Sequence, residues 1–135
     1  MKPAHLLLIG AAALSLNAAA DEPKAAAAAP VRNILEKHDQ SGVPGKEIVI
    51  GTATLPPGSA IGYHTHPGDE IGYVLKGTLV LKARGQPDRL LKPGDTFFNP
   101  RGLIHSLAAA PDGDGGMEVS TWIVDKDKPI ATMIP

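Results

Sequence analysis

The chain contains no cysteine. No disulfide can brace it, so its core must hold alone. It has no excess of positive charge: 13 Lys and Arg stand against 14 Asp and Glu, a net charge of −1. Without a basic patch there is no electrostatic footprint for nucleic acid, which is left out of the expected partners. No apolar run reaches the roughly 20 residues that a membrane-crossing helix needs. The longest, Leu6–Leu16, falls well short, and no second one follows. Between Val31 and Val124 no segment keeps a helical period. What the chain does have is 15 Gly and 13 Pro. They punctuate short β-branched runs at regular intervals, the pattern of an all-β sandwich or barrel.

The first residues read as a targeting segment. Lys2 supplies a positive start, Leu6–Leu16 an apolar stretch, and Ala18-Ala19-Ala20 a small-x-small cleavage site before Asp21-Glu22-Pro23. We expect residues 1–20 to be a signal peptide and the protein to be periplasmic or secreted; the alternative is an uncleaved anchor. Cleavage after Ala20 leaves 115 residues with a net charge near −2 and no stable membrane span. That is one domain, large enough to bury roughly 65% of its unfolded surface. Residues 21–30 read as a disordered Ala/Pro linker. Ala25–Ala29 favours helix, but Pro30 ends it before two turns, too short to persist in water. Residues 31–128 form the expected domain and 129–135 a C-terminal tail.

Strands are expected at Val31–His38, Lys46–Leu55, Ile61–His66, Glu70–Lys76, Thr78–Ala83, Arg89–Leu91, Thr96–Asn99, His105–Ala110 and Met117–Val124. Pro56-Pro57-Gly58 cannot continue a ladder, because two amide donors are missing. Gly77 sits between two apolar runs, where a tight turn needs positive φ. Lys92-Pro93-Gly94-Asp95 places Pro then Gly at the centre of a type II turn. Pro111–Gly116 reads as a polar hairpin loop. Asp112-Gly113-Asp114 resembles the start of a calcium loop, but its twelfth position is Ile123 and not the required Glu, so it reads as a turn.

Two blocks carry chemistry. His64 and His66 are two apart, so on a strand both imidazoles point to one side. Pro67-Gly68-Asp69 is a compact turn that returns the chain on a paired strand and can bring Glu70 beside them. The turn at Gly94 and the bend at Pro100-Arg101-Gly102 can deliver His105 to the same place. Neutral imidazole and carboxylate suit mid-row divalent metals. His38 stands alone and reads as a surface residue. If the four ligands face inward, parity places Gly62, Gly72 and Leu107 on the same lining. A glycine there either opens space for a ligand or eases bending of the barrel. No further acid or base is evident in this lining. Tyr63 and Tyr73 have outward parity; Phe97, Phe98 and Trp122 read as core or interface; Arg101 reads as solvent-facing.

Gly58, His64, His66, Glu70 and Gly77 match at every position the first motif of the cupin superfamily, and Gly94, Pro100, Gly102 and His105 match the second. The closing Asn of the second motif is replaced by Ala109, which touches strand-end structure more than chemistry. From Val31 to Val124 the chain thus resembles a cupin, closest to small secreted single-domain members often labelled dioxygenase-like. The resemblance implies an antiparallel β-barrel of the jelly-roll or double-stranded β-helix type. It also implies one divalent transition metal (Fe, Mn, Ni, Cu or Zn) in a six-coordinate 3-His-1-Glu centre with open positions. Cupins commonly pair barrel to barrel, so a homodimer is expected. Their reactions vary widely, and fold alone does not give one. The function expected is a metal-dependent, oxygenase-like enzyme acting on a small organic molecule; the alternative is a non-catalytic metal or small-molecule binding protein.

The processing expectation has a direct check. Mass spectrometry of fractionated cells should find a chain beginning at Asp21 in the periplasmic fraction. A cytoplasmic chain that retains Met1 would sink it.

Overall fold

The computed structural model describes residues 26–135. The expected leader and residues 21–25 of the expected linker lie outside the described residues; residues 26–30 carry no regular secondary structure. Ten strands follow: β1 Val31–Asp39, β2 Lys46–Leu55, β3 Ala60–Thr65, β4 Gly68–Gly77, β5 Leu79–Ala83, β6 Arg89–Leu91, β7 Thr96–Asn99, β8 His105–Ala109, β9 Gly116–Asp125 and β10 Thr132–Met133. No helix occurs among the described residues. The nine strands expected from Pro/Gly punctuation are all present, most within a residue or two of their expected bounds.

The strands form two antiparallel sheets, in the orders β1-β2-β9-β4-β7 and β10-β3-β8-β5-β6. Their inner faces share one core. Ala53, Leu55, Val74 and Phe97 come from the first sheet, and Leu79, Leu81, Leu91, Leu107 and Ala109 from the second. Each fully buried leucine contributes about 1.5–3 kcal/mol. The alternation that puts these residues inside is plain in β4, where buried positions alternate with exposed ones as far as Val74, and in β9, where they alternate with mostly half-buried ones. The result is a jelly roll of two facing sheets, and among the described residues no ladder joins them into a closed barrel.

Only β1–β2 and β5–β6 are hairpins; every other connection passes from one sheet to the other. Two expectations change as a result. Pro67–Asp69 does not return the chain on a strand paired with β3, and Pro111–Gly116 is not a hairpin loop. Each carries the chain across the sandwich. Turn residues decide where a chain bends, but the ladder that receives the next strand is a tertiary choice. The turns themselves form as expected. Gly77 has φ +73°. Gly94 has φ +94°, and the Asp95 amide donates to the Lys92 carbonyl at 2.9 Å.

The segment expected as a tail is part of the fold. Thr132 and Met133 pair with Thr65 and His64 of β3. Ile130 packs against a second core cluster of Val49, Trp122 and Val124. A two-residue strand is too short to leave a periodic signal.

One expected lining position is corrected, and the open question at another is decided. Between Ile61 and His64 the β3–β8 ladder slips: Ile61 faces Leu107, yet His64 faces His105, so β3 holds one extra residue. The bulge flips parity. Ile61 packs against the core and His64 is buried, while Gly62 and Tyr63 are exposed. Gly62 therefore does not line the interior beside the histidines. Gly72 does face inward, but it makes no room for a ligand. It lies opposite Phe97 in the β4–β7 ladder. A Cβ added there would fall 2.0 Å from Phe97 Cζ. Leu107 is buried and does line the interior.

This packing is testable. Gly72→Ala should destabilise the protein by about 1–3 kcal/mol through overpacking. Adding Phe97→Leu should recover part of that loss. Urea denaturation of both variants would check it, and no recovery in the double variant would show that Phe97 is not what the methyl meets.

Candidate metal centre

The sheets bring His64, His66, His105 and Glu70 together. His64, in β3, lies directly opposite His105 in β8. His66 follows β3 at its end, and Glu70 reaches them from β4 across the sandwich. All four are buried. The three imidazoles place one nitrogen each within 4.8 Å of one another. Glu70 Oε2 lies 3.2 Å from both His66 Nε2 and His105 Nε2. His38 is exposed, beside Glu36.

Backbone carbonyls set the orientation of every ring. His64 Nδ1 bonds to the Gly62 carbonyl at 2.8 Å, His66 Nδ1 to the Ile130 carbonyl at 2.6 Å, and His105 Nδ1 to the Leu103 carbonyl at 3.0 Å. A carbonyl only accepts, so each Nδ1 carries a hydrogen and each ring turns Nε2, the atom that can take a metal, inward. Burial pulls the pKa of His64 down to about 4, which keeps that ring neutral. His66 Nε2 is buried without a hydrogen-bond partner. Three Nε2 atoms and a carboxylate oxygen therefore face one small volume, and this donor set, with the His66 Nε2 left unpartnered, fits a divalent transition metal.

Glu70 is held as an anion. Burial alone would raise its pKa, but the close contacts with His105 and His66 and the hydrogen bond from Asn99 outweigh burial and hold it below the usual carboxylate range. The Asn99 amide donates to Glu70 Oε2 at 2.7 Å.

The residues have a local framework. The Arg101 amide donates to Asp69 Oδ1 at 2.9 Å, which ties the bend before His105 to the turn before Glu70. The Arg101 guanidinium is exposed and makes two hydrogen bonds to Asp125, at 2.8 and 2.9 Å. It faces solvent, as expected.

Sequence reading missed a second carboxylate. Glu118 of β9 is buried and lines the same cavity as His64, Glu70, His105, Phe97 and Leu107. Its Oε2 accepts from Ser120 Oγ at 2.6 Å. Burial pushes its carboxyl up to about 7; the Ser120 hydrogen bond opposes the shift and the nearby charge of Glu70 adds to it. The expectation that no further acid or base lines the site is thus corrected. Parity carried the signal: Trp122 belongs to the core, and Ser120 and Glu118 share its side of the strand. Asn99 was legible in the same way, two residues from buried Phe97.

The titration of Glu118 gives a signed prediction. Its folded pKa of about 7 lies above the ordinary 4.5. Between those values the folded state binds more protons, so the contribution of Glu118 is fully present below 4.5 and is lost as pH rises through 7. Glu118→Gln should match the wild type near pH 4 and exceed it near pH 8, by on the order of 1–3 kcal/mol. Urea midpoints at the two pH values decide; an equal difference at both would remove the buried-acid assignment.

Known proteins share this architecture. The family model for the cupin domain matches residues 51–124, more than half of the chain. An oxalate-binding protein of Thermotoga maritima is 44% identical over 54 residues, which is 39% of this chain and 44% of that protein. The dimethylsulfoniopropionate lyase DddQ of Ruegeria pomeroyi is 38% identical over 52 residues, covering 38% of this chain and 26% of the lyase. Each alignment thus spans less than half of the relative's own length. Among solved structures, a cupin-like protein of Thermotoga maritima superposes with a TM-score of 0.63 at 27% identity, over 78% of this chain and 75% of that one. With its two facing sheets, its inward histidines and this match, the chain belongs to the cupin family.

Proposed function

We propose that the protein is a metal-dependent enzyme acting on a small organic molecule, exported to the periplasm. His64, His66, His105 and Glu70 would hold one divalent transition metal. Bound there, the metal would supply Lewis acidity or, if it is redox-active, oxygenase-like chemistry. The remaining work falls to the chain. The Gly62, Ile130 and Leu103 carbonyls hold the imidazoles in one tautomer, and Asn99 orients Glu70.

The observation that carries the reading is Glu118. A general acid or base works best when its pKa lies near the working pH, and such a group contributes about 10²–10⁴-fold to a rate. Glu118 has a pKa of about 7 and lines the cavity that the centre lines. Two carboxyls in one cavity, one held ionised and one able to carry a proton, form the division of labour of acid–base catalysis. Simple binding calls for only the first.

The second reading, a non-catalytic binding protein, rests on the size of the inner cavity, about 10 Å³. That is room for about one water. The family offers precedent for both readings, since one relative is named a lyase and another a binding protein. A homodimer is part of the proposal. Ile71, Tyr73, Leu75, Phe98 and Ile123 are exposed on the outside of the first sheet, an apolar strip that supports pairing.

Elemental analysis of protein isolated from its native compartment should find one transition metal per chain. His66→Ala should lose it and His38→Ala should keep it. Chelation should lower the melting temperature of the wild type and of His38→Ala, but not of His66→Ala. On any small molecule that the wild type turns over, Glu118→Gln should retain metal and lose about 10²–10⁴-fold in rate. Equal metal in wild type and His66→Ala would remove the centre. Full metal occupancy without turnover across a broad panel would favour the binding protein.

A further inference from the structure

The inner cavity is too small for the body of an organic molecule, but it has a neighbour. An outer pocket of about 280 Å³ is lined by Pro30, Arg32, Ala60, Ile61, Gly62 and Met133. Arg32 and Ile61 line both spaces, so these two side chains form the wall between surface and centre. Apart from Arg32, the outer pocket offers only apolar side chains and glycine.

Arg32 is in an unusual position for an arginine. Arg32 faces Ala53 in the β1–β2 ladder, and Ala53 faces Glu118 in the β2–β9 ladder. One small side chain separates the cation from the buried acid on the inner face of the sheet. Among the described residues, the Arg32 side chain makes no hydrogen bond and no ion pair, and its Nε is buried without a partner. Its Cζ lies 5.5 Å from the centroid of the Trp122 ring. Stacking of this kind fixes the plane of a guanidinium and leaves its N–H groups for another partner. A buried donor with no acceptor is destabilising, and more so when it is charged. A ligand anion would remove that penalty.

We propose that the outer pocket and Arg32 form the recognition site for a small organic monocarboxylate. Its carboxylate pairs with the Arg32 guanidinium, and its apolar body lies against Pro30, Ala60, Ile61 and Met133. The bulge in β3 builds this entrance, because it turns Gly62 outward into the pocket and Ile61 inward to the centre. Gly62 keeps the pocket open beside Met133, whose Cε would lie 3.3 Å from an added Cβ. Charge selects a monoanion. Arg32 is the one cationic side chain on the outer lining, so it matches one negative charge, and a dianion such as a phosphate ester would leave its second charge against apolar walls. The inference deepens the proposed function and rests on it, since it names the class of molecule delivered to that centre.

The test uses the mature protein with its metal, sodium hexanoate as probe, and hexanamide, acetate and hexyl phosphate as comparators. Calorimetry measures binding, with the emission of Trp122, the chain's one tryptophan, as a second readout. Hexanoate should bind saturably and at least tenfold more tightly than hexanamide or hexyl phosphate. Arg32→Gln should weaken hexanoate tenfold or more with metal content unchanged, and Arg32→Lys should lose less. Ala60→Leu, which fills the outer pocket without touching Arg32, should weaken hexanoate but not acetate. It decides from the other wall should Arg32→Gln fail to fold. Equal hexanoate affinity in wild type and Arg32→Gln would overturn the proposal, as would hexanamide binding as well as hexanoate. Failure of the metal-centre reading would show separately, as unchanged metal content in His66→Ala.

Discussion

The carbonyl oxygens of Gly62, Leu103 and Ile130 each accept the Nδ1–H of a buried imidazole, and the organisation of the interior depends on those three hydrogen bonds. They turn three Nε2 atoms inward, toward Glu70. The three carbonyls come from separate parts of the chain. Gly62 belongs to the bulge in β3, Leu103 to the bend before β8, and Ile130 to the segment before β10. An irregular loop, a strand distortion and the C-terminal segment thus all act on one site. Ordered backbone is what makes the carbonyls usable, since a carbonyl free to move would let its ring rotate and expose the other nitrogen.

Charge in the cavity is divided by environment and not by residue type. Glu70 and Glu118 are both buried glutamates on the inner face of one sheet. Glu70 has Asn99 and two imidazoles around it and is held ionised. Glu118 has one hydroxyl, from Ser120, and burial dominates. The anion serves to hold a cation, while the acid can exchange a proton near neutrality. Small residues make the separation possible: Gly51, Ser120 and Gly72 form a cross-strand row between the rungs of the two glutamates. Phe97 then fills the space above Gly72, which shrinks the inner cavity and leaves the outer pocket as the larger space.

Much of this was legible in the residues. Period-two alternation and Pro/Gly punctuation located nine strands, because those signals are local. The four candidate ligands stood out because His-x-His on a strand shares a face. Their spacing to Glu70 and His105 matched the motifs of a family whose membership the comparison then showed. Glu118 and Asn99 were legible too, by the same parity that placed Trp122 and Phe97 inside. Gly62 was misplaced because parity fails at a bulge, and one extra residue in β3 is visible only against its partner β8.

What the sequence determined by itself was therefore the all-β class, the position of each turn and the inward face of each regular strand. These follow from side-chain alternation and from the backbone limits of proline and glycine. Tertiary structure alone decided which sheet each strand joins, since seven connections cross between sheets and nothing in a turn specifies the ladder beyond it. It alone set Arg32 one residue from Glu118 across β2. And it alone raised the Glu118 carboxyl, because a pKa depends on burial and neighbouring charge, and both come from residues distant in the chain.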